Sequence, residues 1–149
     1  MKIEKRYPPT YFNSAIVLMI VSHFIFPIIY LIIGYWRLLG LLPILIGIYL
    51  SLAADKSLRK NNTTVKPGEE SEALITDGVF SISRNPMYVG MALILLGIAI
   101  LLGSVSTFFI IPIFVYIINK KFVIIEEKML TEKFGRKWIS YKEKTRSWI

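Results

Sequence analysis

The sequence predicts an all-α integral membrane protein. Its plan is about four transmembrane helices in two hairpins, a cytoplasmic loop between the hairpins, and an interfacial helix at the C-terminus. Three observations predict this. The 149-residue chain is 54% hydrophobic with mean hydropathy +0.57, too apolar for an ordinary soluble domain. Its apolar residues are gathered into four blocks. Of its 18 basic residues, only Arg37 falls on the far side of the spans those blocks define.

The first block, Ala15–Gly34, has Pro27 inside it, where a kink is expected. It is too long for a signal-peptide core and has no small-residue cleavage site behind it, so it reads as a retained anchor helix. "YWR" (Tyr35–Arg37) separates it from the second block, Leu38–Ala54, which implies a tight hairpin with Tyr35 and Trp36 at the membrane interface. The polar stretch Asp55–Asn85 carries charges of both signs and many turn residues; connections of this length are often functional. The third block is Met87–Gly103, and "GSVS" makes a second tight turn into the fourth. That block starts at Val105 and runs past Lys120 and Lys121, which would snorkel, to Glu126. In the tail, Leu130, Phe134, Trp138 and Tyr141 recur at helical spacing among Lys and Arg, as in an interfacial amphipathic helix that Gly135 could break.

Charge sets the orientation. Lys2, Lys5 and Arg6 precede the first block, Lys56, Arg59, Lys60, Lys66 and Arg84 lie in the long loop, and nine more basic residues follow from Lys120. Both termini and all the polar chemistry are therefore expected on the cytoplasmic face. The net charge of +8 fits anionic lipid headgroups there better than a nucleic acid. The chain has no cysteine, which excludes disulfides, thiolate metal sites and a Cys nucleophile. Its one histidine, His23, reads as a packed residue, and no metal site is expected. No phosphate-binding glycine loop or metal-ligand spacing is present. Gly90 and Gly97, seven residues apart, suggest close helix packing.

Two clusters could carry chemistry. In "SRNPMYVG" (Ser83–Gly90), Asn85 suits an N-cap and Pro86 the first helical position, with Tyr88 in the first turn. A helix N-terminus favours anions, and Arg84 adds a guanidinium fork one turn from Tyr88. The stretch reads equally as one side of a ligand site and as a capped helix whose Arg touches lipid phosphate. Glu126 and Glu127 oppose the basic bias of the same face. They could accept hydrogen bonds from ligand hydroxyls or balance a cation, or simply form a solvated helix face. Neighbours on a helix point about 100° apart, so the two would serve different partners. The segment around Lys66 and Pro67 could wrap over a pocket or form a solvated loop.

The ordered run "T-x-V-x-P…L-I-T-D-G-V-F…S-R-N-P-M-Y-V-G", a helical hairpin, then "E-E-K-M-L-T-E-K-F-G-R-K-W-I-S-Y" resembles the isoprenylcysteine carboxyl methyltransferase and phospholipid methyltransferase superfamily of integral membrane enzymes. The likeness covers roughly Thr63 to Trp148. It implies S-adenosylmethionine as methyl donor and a lipophilic or lipid-modified acceptor, most like that of an isoprenylcysteine carboxyl O-methyltransferase. It implies residues 1–54 as an N-terminal hairpin and 55–149 as a cofactor-binding core. Carried over, Leu74, Gly78 and Val79 pack beside the cofactor, and Asn85, Pro86 and Tyr88 line it. Glu126 and Glu127 hold its polar groups, and Arg84 and Glu127 are the candidate catalytic residues. Lys120 or Arg146 could take Arg84's part in positioning an acceptor carboxylate. Asn85 stands where eukaryotic prenylcysteine enzymes have His, and Trp138 where Tyr is usual. So short a chain implies a prokaryotic cytoplasmic membrane. A lipid amine N-methyltransferase, an NADPH-dependent membrane reductase and a non-catalytic scaffold are the competing readings.

Overall fold

A computed structural model describes residues 7–63 and 71–149, all helix and connection with no strand among them. Lys2, Lys5, Arg6, Lys66 and Pro67 lie outside the described residues. Helix α1 spans Pro8–Ile25, α2 Leu41–Lys60, α3 Pro86–Leu102, α4 Val105–Ile118, α5 Ile124–Phe134 and α6 Arg136–Lys144. A 3₁₀ stretch, Gly34–Gly40, runs directly into α2, and a single π-helical turn, Asn119–Val123, joins α4 to α5 without a break.

Two of the resulting rods are long and apolar enough to cross a membrane: Gly34–Lys60, of 27 residues, and Val105–Phe134, of 30. Helix α3 is apolar but shorter. Large apolar side chains stand uncovered along these rods, among them Leu45, Leu52, Phe109 and Ile113. So much bare apolar surface on elements this long is what lipid contact requires.

The first expected span is corrected. Helix α1 begins seven residues before Ala15, at Pro8, and ends at Ile25. Pro27 terminates it rather than kinking it. A residue before proline is pushed out of the helical region, and Phe26 sits at φ −145°, ψ 66°. "YWR" is not a tight turn but part of the 3₁₀ stretch. The chain between doubles back over the α3–α4 turn. Leu31 and Ile32 donate N–H to the Gly103 carbonyl at 2.8 and 3.2 Å, and Val105 donates to the Ile29 carbonyl at 2.9 Å. An irregular segment in an apolar setting thereby satisfies its backbone. His23 belongs to this end, its Nδ1 3.0 Å from Ser104 Oγ, and Arg37 donates through Nε to the Ile32 carbonyl.

Helices α2 and α3 pack antiparallel, backbone to backbone. A Cβ placed on Gly40 would meet the Gly97 carbonyl, and one on Gly47 the Gly90 carbonyl, so the glycine pairs set the approach. One core, with Met19, Leu95, Ala99, Phe114 and Ile118, joins α1, α3 and α4. The other, with Leu50, Ala54, Ile75, Val79, Phe80 and Val89, joins α2, the loop and α3.

The tail is not one interfacial helix. It breaks at Gly135, whose φ of +51° suits glycine, and α6 turns its aromatic face inward. Trp138 and Tyr141 are buried, the Tyr141 hydroxyl donating to the Phe80 carbonyl of the long loop. Burial pushes that hydroxyl up to about 12, against the opposing pull of Arg84, so it stays a donor.

Candidate active site

The site is built where the polar turn before α3 meets the end of the α4–α5 rod. Pro86 takes the first position of α3, as its missing N–H allows. Asn85 precedes it, but its side chain makes no capping bond. The amide instead donates through Nδ2 to the Ser147 carbonyl and to Ser147 Oγ, both at 3.0 Å. A cap would use the amide oxygen as acceptor; the bonds this side chain makes are those of its two N–H groups to the tail. Ser83, almost fully buried, accepts the Asn85 backbone N–H at Oγ and donates to the Ser147 carbonyl.

The two glutamates serve separate partners. Tyr88 donates its hydroxyl to Glu126 Oε1 at 2.8 Å. Arg84 donates through Nε and Nη2 to Glu127 Oε1 at 3.1 and 2.8 Å. Lys142 Nζ closes the group, 3.1 Å from Glu127 Oε2. The arrangement depends on the π-helical turn. It adds one residue to a turn of the rod, and one residue is about 100° of rotation, so it sets where both carboxylates point.

Arg84 is engaged through every nitrogen. Its remaining nitrogen, Nη1, donates to the Lys142 and Thr145 carbonyls at 2.9 and 2.6 Å, and its guanidinium carbon lies 5.8 Å from the centre of the Trp138 ring. Only 8% of the side chain is exposed. Trp138 is buried beneath it, and its Nε1–H has no acceptor among the described residues. Glu126 likewise has no partner for its second oxygen there.

The loop residues are placed apart from this cluster. Val79 is packed in the second core beside Phe80. Gly78 stands exposed at φ +58°, with open space where a side chain would be. Leu74 lines an open cleft of about 590 Å³ with Thr76, Phe134, Arg136, Lys137 and Ser140. Arg146 contributes its carbonyl, accepting the Arg84 backbone N–H at 2.9 Å, while its side chain is exposed. Lys120 lies over the Tyr116 ring rather than at the site. Ser83, Asn119, Lys142, Thr145, Ser147 and Trp148 were not among the expected site residues. Their partners across the site stand 15 to 64 residues away in sequence, and no local pattern marks them.

The family model described as phospholipid methyltransferase matches residues 35–137. The chain belongs to the phospholipid methyltransferase family. It is 32% identical over 111 residues to the Protein-S-isoprenylcysteine O-methyltransferase of Saccharomyces cerevisiae, a match covering 71% of this chain and 45% of that protein. It is 36% identical over 63 residues to an uncharacterized protein of Haemophilus influenzae, across 42% of this chain and the whole of the other. The chain thus spans about half the length of the yeast relative and all of the bacterial one. The Arg84–Asn85 turn and the Glu126–Glu127 pair both fall inside the matched region, whereas α1 and the tail after residue 137 fall outside it.

Proposed function

We propose that this methyltransferase uses S-adenosylmethionine and transfers its methyl group to a lipophilic acceptor that enters from the bilayer, with a carboxyl acceptor like that of an isoprenylcysteine O-methyltransferase as the first candidate. The observation that carries this is the paired contact, Tyr88 to Glu126 and Arg84 to Glu127, at the junction of apolar core and polar face. The likeness to the yeast enzyme supports the carboxyl acceptor.

The residues present fit the donor. It carries hydroxyls and an ammonium that need acceptors, and a carboxylate and ring nitrogens that need donors. Glu126 has a free oxygen, and Trp138 has a buried N–H with no partner among the described residues. Glu126, Tyr88 and Trp138 would hold it, with the Pro86 turn beside it. When bound, S-adenosylmethionine supplies an activated methyl on a sulfonium. The chain contributes alignment and a water-poor setting, which need no covalent intermediate. Arg84 and Glu127 fix the wall, because each is the other's principal partner. Lys142, half exposed, is the cation best placed to meet an acceptor carboxylate. A second reading, amine N-methylation, is favoured by the engagement of every Arg84 nitrogen, which leaves one N–H and no two-donor fork for a carboxylate.

In this reading all four helical rods cross the membrane. The α1–α2 link and the α3–α4 turn meet at one end through Gly103, and the one basic residue at that end is Arg37. The opposite face, with the glutamates and the basic tail, is cytoplasmic. Calorimetry of the detergent-purified protein with S-adenosylhomocysteine tests the donor. Saturable binding that is lost in Glu126→Gln is expected, and absence of binding to the wild type overturns the proposal. Transfer of labelled methyl to carboxyl or amine lipids then separates the two acceptor readings.

A further inference from the structure

The last residues of the chain do not run out into solvent. Thr145, Arg146 and Ser147 present three successive carbonyls to one turn. Thr145 O accepts from Arg84 Nη1 at 2.6 Å and Arg146 O from the Arg84 backbone N–H at 2.9 Å. Ser147 O accepts from Ser83 Oγ and Asn85 Nδ2, each at 3.0 Å. Trp148 pins the end. Its Nε1 donates to Asn119 Oδ1 at 3.2 Å, and its ring packs against both hydrophobic cores. Asn119 is the first residue of the π-helical turn, so the tail joins the two walls of the site, the turn before α3 and the α4–α5 rod.

We propose that Thr145–Trp148 is a strap that holds the donor pocket shut. Ser83, Arg84 and Asn85 act on the reaction as its clasp rather than as ligand contacts. The reason is occupancy. Four of the five Arg84 N–H donors and both amide N–H groups of Asn85 already go to Glu127, to the Lys142 carbonyl or to the tail, so the pair has a single Nη2 N–H left for a ligand while the strap is down. A strap held by a few hydrogen bonds and one indole is weak enough to open, and its closing excludes water and slows release. The family match stops before it, at residue 137. The inference rests on the proposed donor site for its ligand but not for the clasp itself.

Two measurements on the detergent-purified protein test it. The first is dissociation of S-adenosylhomocysteine from the wild type, Asn85→Ala, a chain ending at Lys144, and the combination. The strap predicts that truncation, which removes the Trp148 anchor and six hydrogen bonds between tail and site, speeds release by at least about tenfold. It predicts that Asn85→Ala speeds release in the full chain and adds nothing in the truncated one. An equal effect of Asn85→Ala in both chains means direct ligand contact and overturns the proposal, as does tighter binding after truncation. The second is tryptic cleavage at Lys144 and Arg146 without ligand. Faster cleavage in Asn85→Ala and in Trp148→Ala than in the wild type is expected, and equal rates overturn the clasp. Should the wild type bind no S-adenosylhomocysteine, the donor reading fails and the cleavage rates still decide the clasp.

Discussion

Replacing Glu127 with alanine strikes the contact on which the site is hung. The Arg84 and Glu127 side chains are 8% and 15% exposed, so water screens the pair little. Removing one member of a buried pair leaves the other charge uncompensated, at about 3–5 kcal/mol. Arg84 would keep its bonds to the Lys142 and Thr145 carbonyls, which places the cost at the lower end of that range. The Lys142 contact adds little, because that side chain is 49% exposed and an exposed pair is worth at most about 1 kcal/mol. The expected loss is therefore about 3 kcal/mol, somewhat over a hundredfold in the folding equilibrium. Reversible unfolding of the micelle-bound protein by increasing sodium dodecyl sulfate reads it directly. Arg84→Ala with Glu127→Ala should destabilise less than the sum of the single changes, by about 2 kcal/mol, because no lone charge remains. A cost for Glu127→Ala below about 1 kcal/mol, the scale of an exposed pair, would refute the reasoning.

Deleting Lys120 should turn the π-helical turn back into α-helix and rotate α5 by about 100°, carrying Glu126 from Tyr88 and Glu127 from Arg84; binding of S-adenosylhomocysteine is lost while the helical circular dichroism signal is retained. Gly90→Ala places a methyl against Ser51 Oγ and the Gly47 carbonyl and should cost about 1–3 kcal/mol in the same unfolding assay. Gly78→Ala, with open space around it, costs only the strain of its positive φ, about 1–2 kcal/mol. Tyr141→Phe removes the acceptor's partner at Phe80 and should cost about 1–2 kcal/mol at neutral pH. The pH course is specific. The folded hydroxyl titrates near 12, above its ordinary value of 10, so the unfolded chain loses its proton first and stability falls as pH rises from 10 toward 12. A smaller fall in Tyr141→Phe than in the wild type is the expected result.

What was legible in the sequence is what local chemistry fixes. The apolar runs gave both ends of the third helix to within one residue and the start of the fourth at Val105, because a membrane helix must be apolar along its length, whereas the polar end of the fourth rod runs on to Phe134. Gly90 and Gly97 marked the tight face of α3 because only a missing Cβ permits that approach. The two glutamates were separable by rotation alone, and they do serve different partners. Pro27 was misread because hydropathy does not distinguish a bent helix from a terminated one. The difference lies in whether another segment takes up the freed backbone groups, and here Gly103 and Val105 do so from more than 70 residues away. Asn85 was misread for a related reason. Its preference for the N-cap is real, but two acceptors on Ser147 orient the amide through its N–H groups, and its oxygen makes no bond to the helix end.

The proposed methyl transfer needs neither histidine nor cysteine at the site. A methyl transfer asks for placement more than for proton movement, and placement here comes from register. Glu126 and Glu127 are aimed by a one-residue excess in the rod, and the turn that receives them is held by Pro86 and by the tail. Asn119 opens that excess turn and also receives Trp148, so the register of the rod and the seating of the tail are set at one residue. It follows that Asn119→Ala, about two helical turns before the carboxylates, should loosen the tail without turning Glu126 or Glu127 away, since the backbone of the turn does not depend on that side chain. A change that released the tail and misdirected the carboxylates together would show the two to be one cooperative unit.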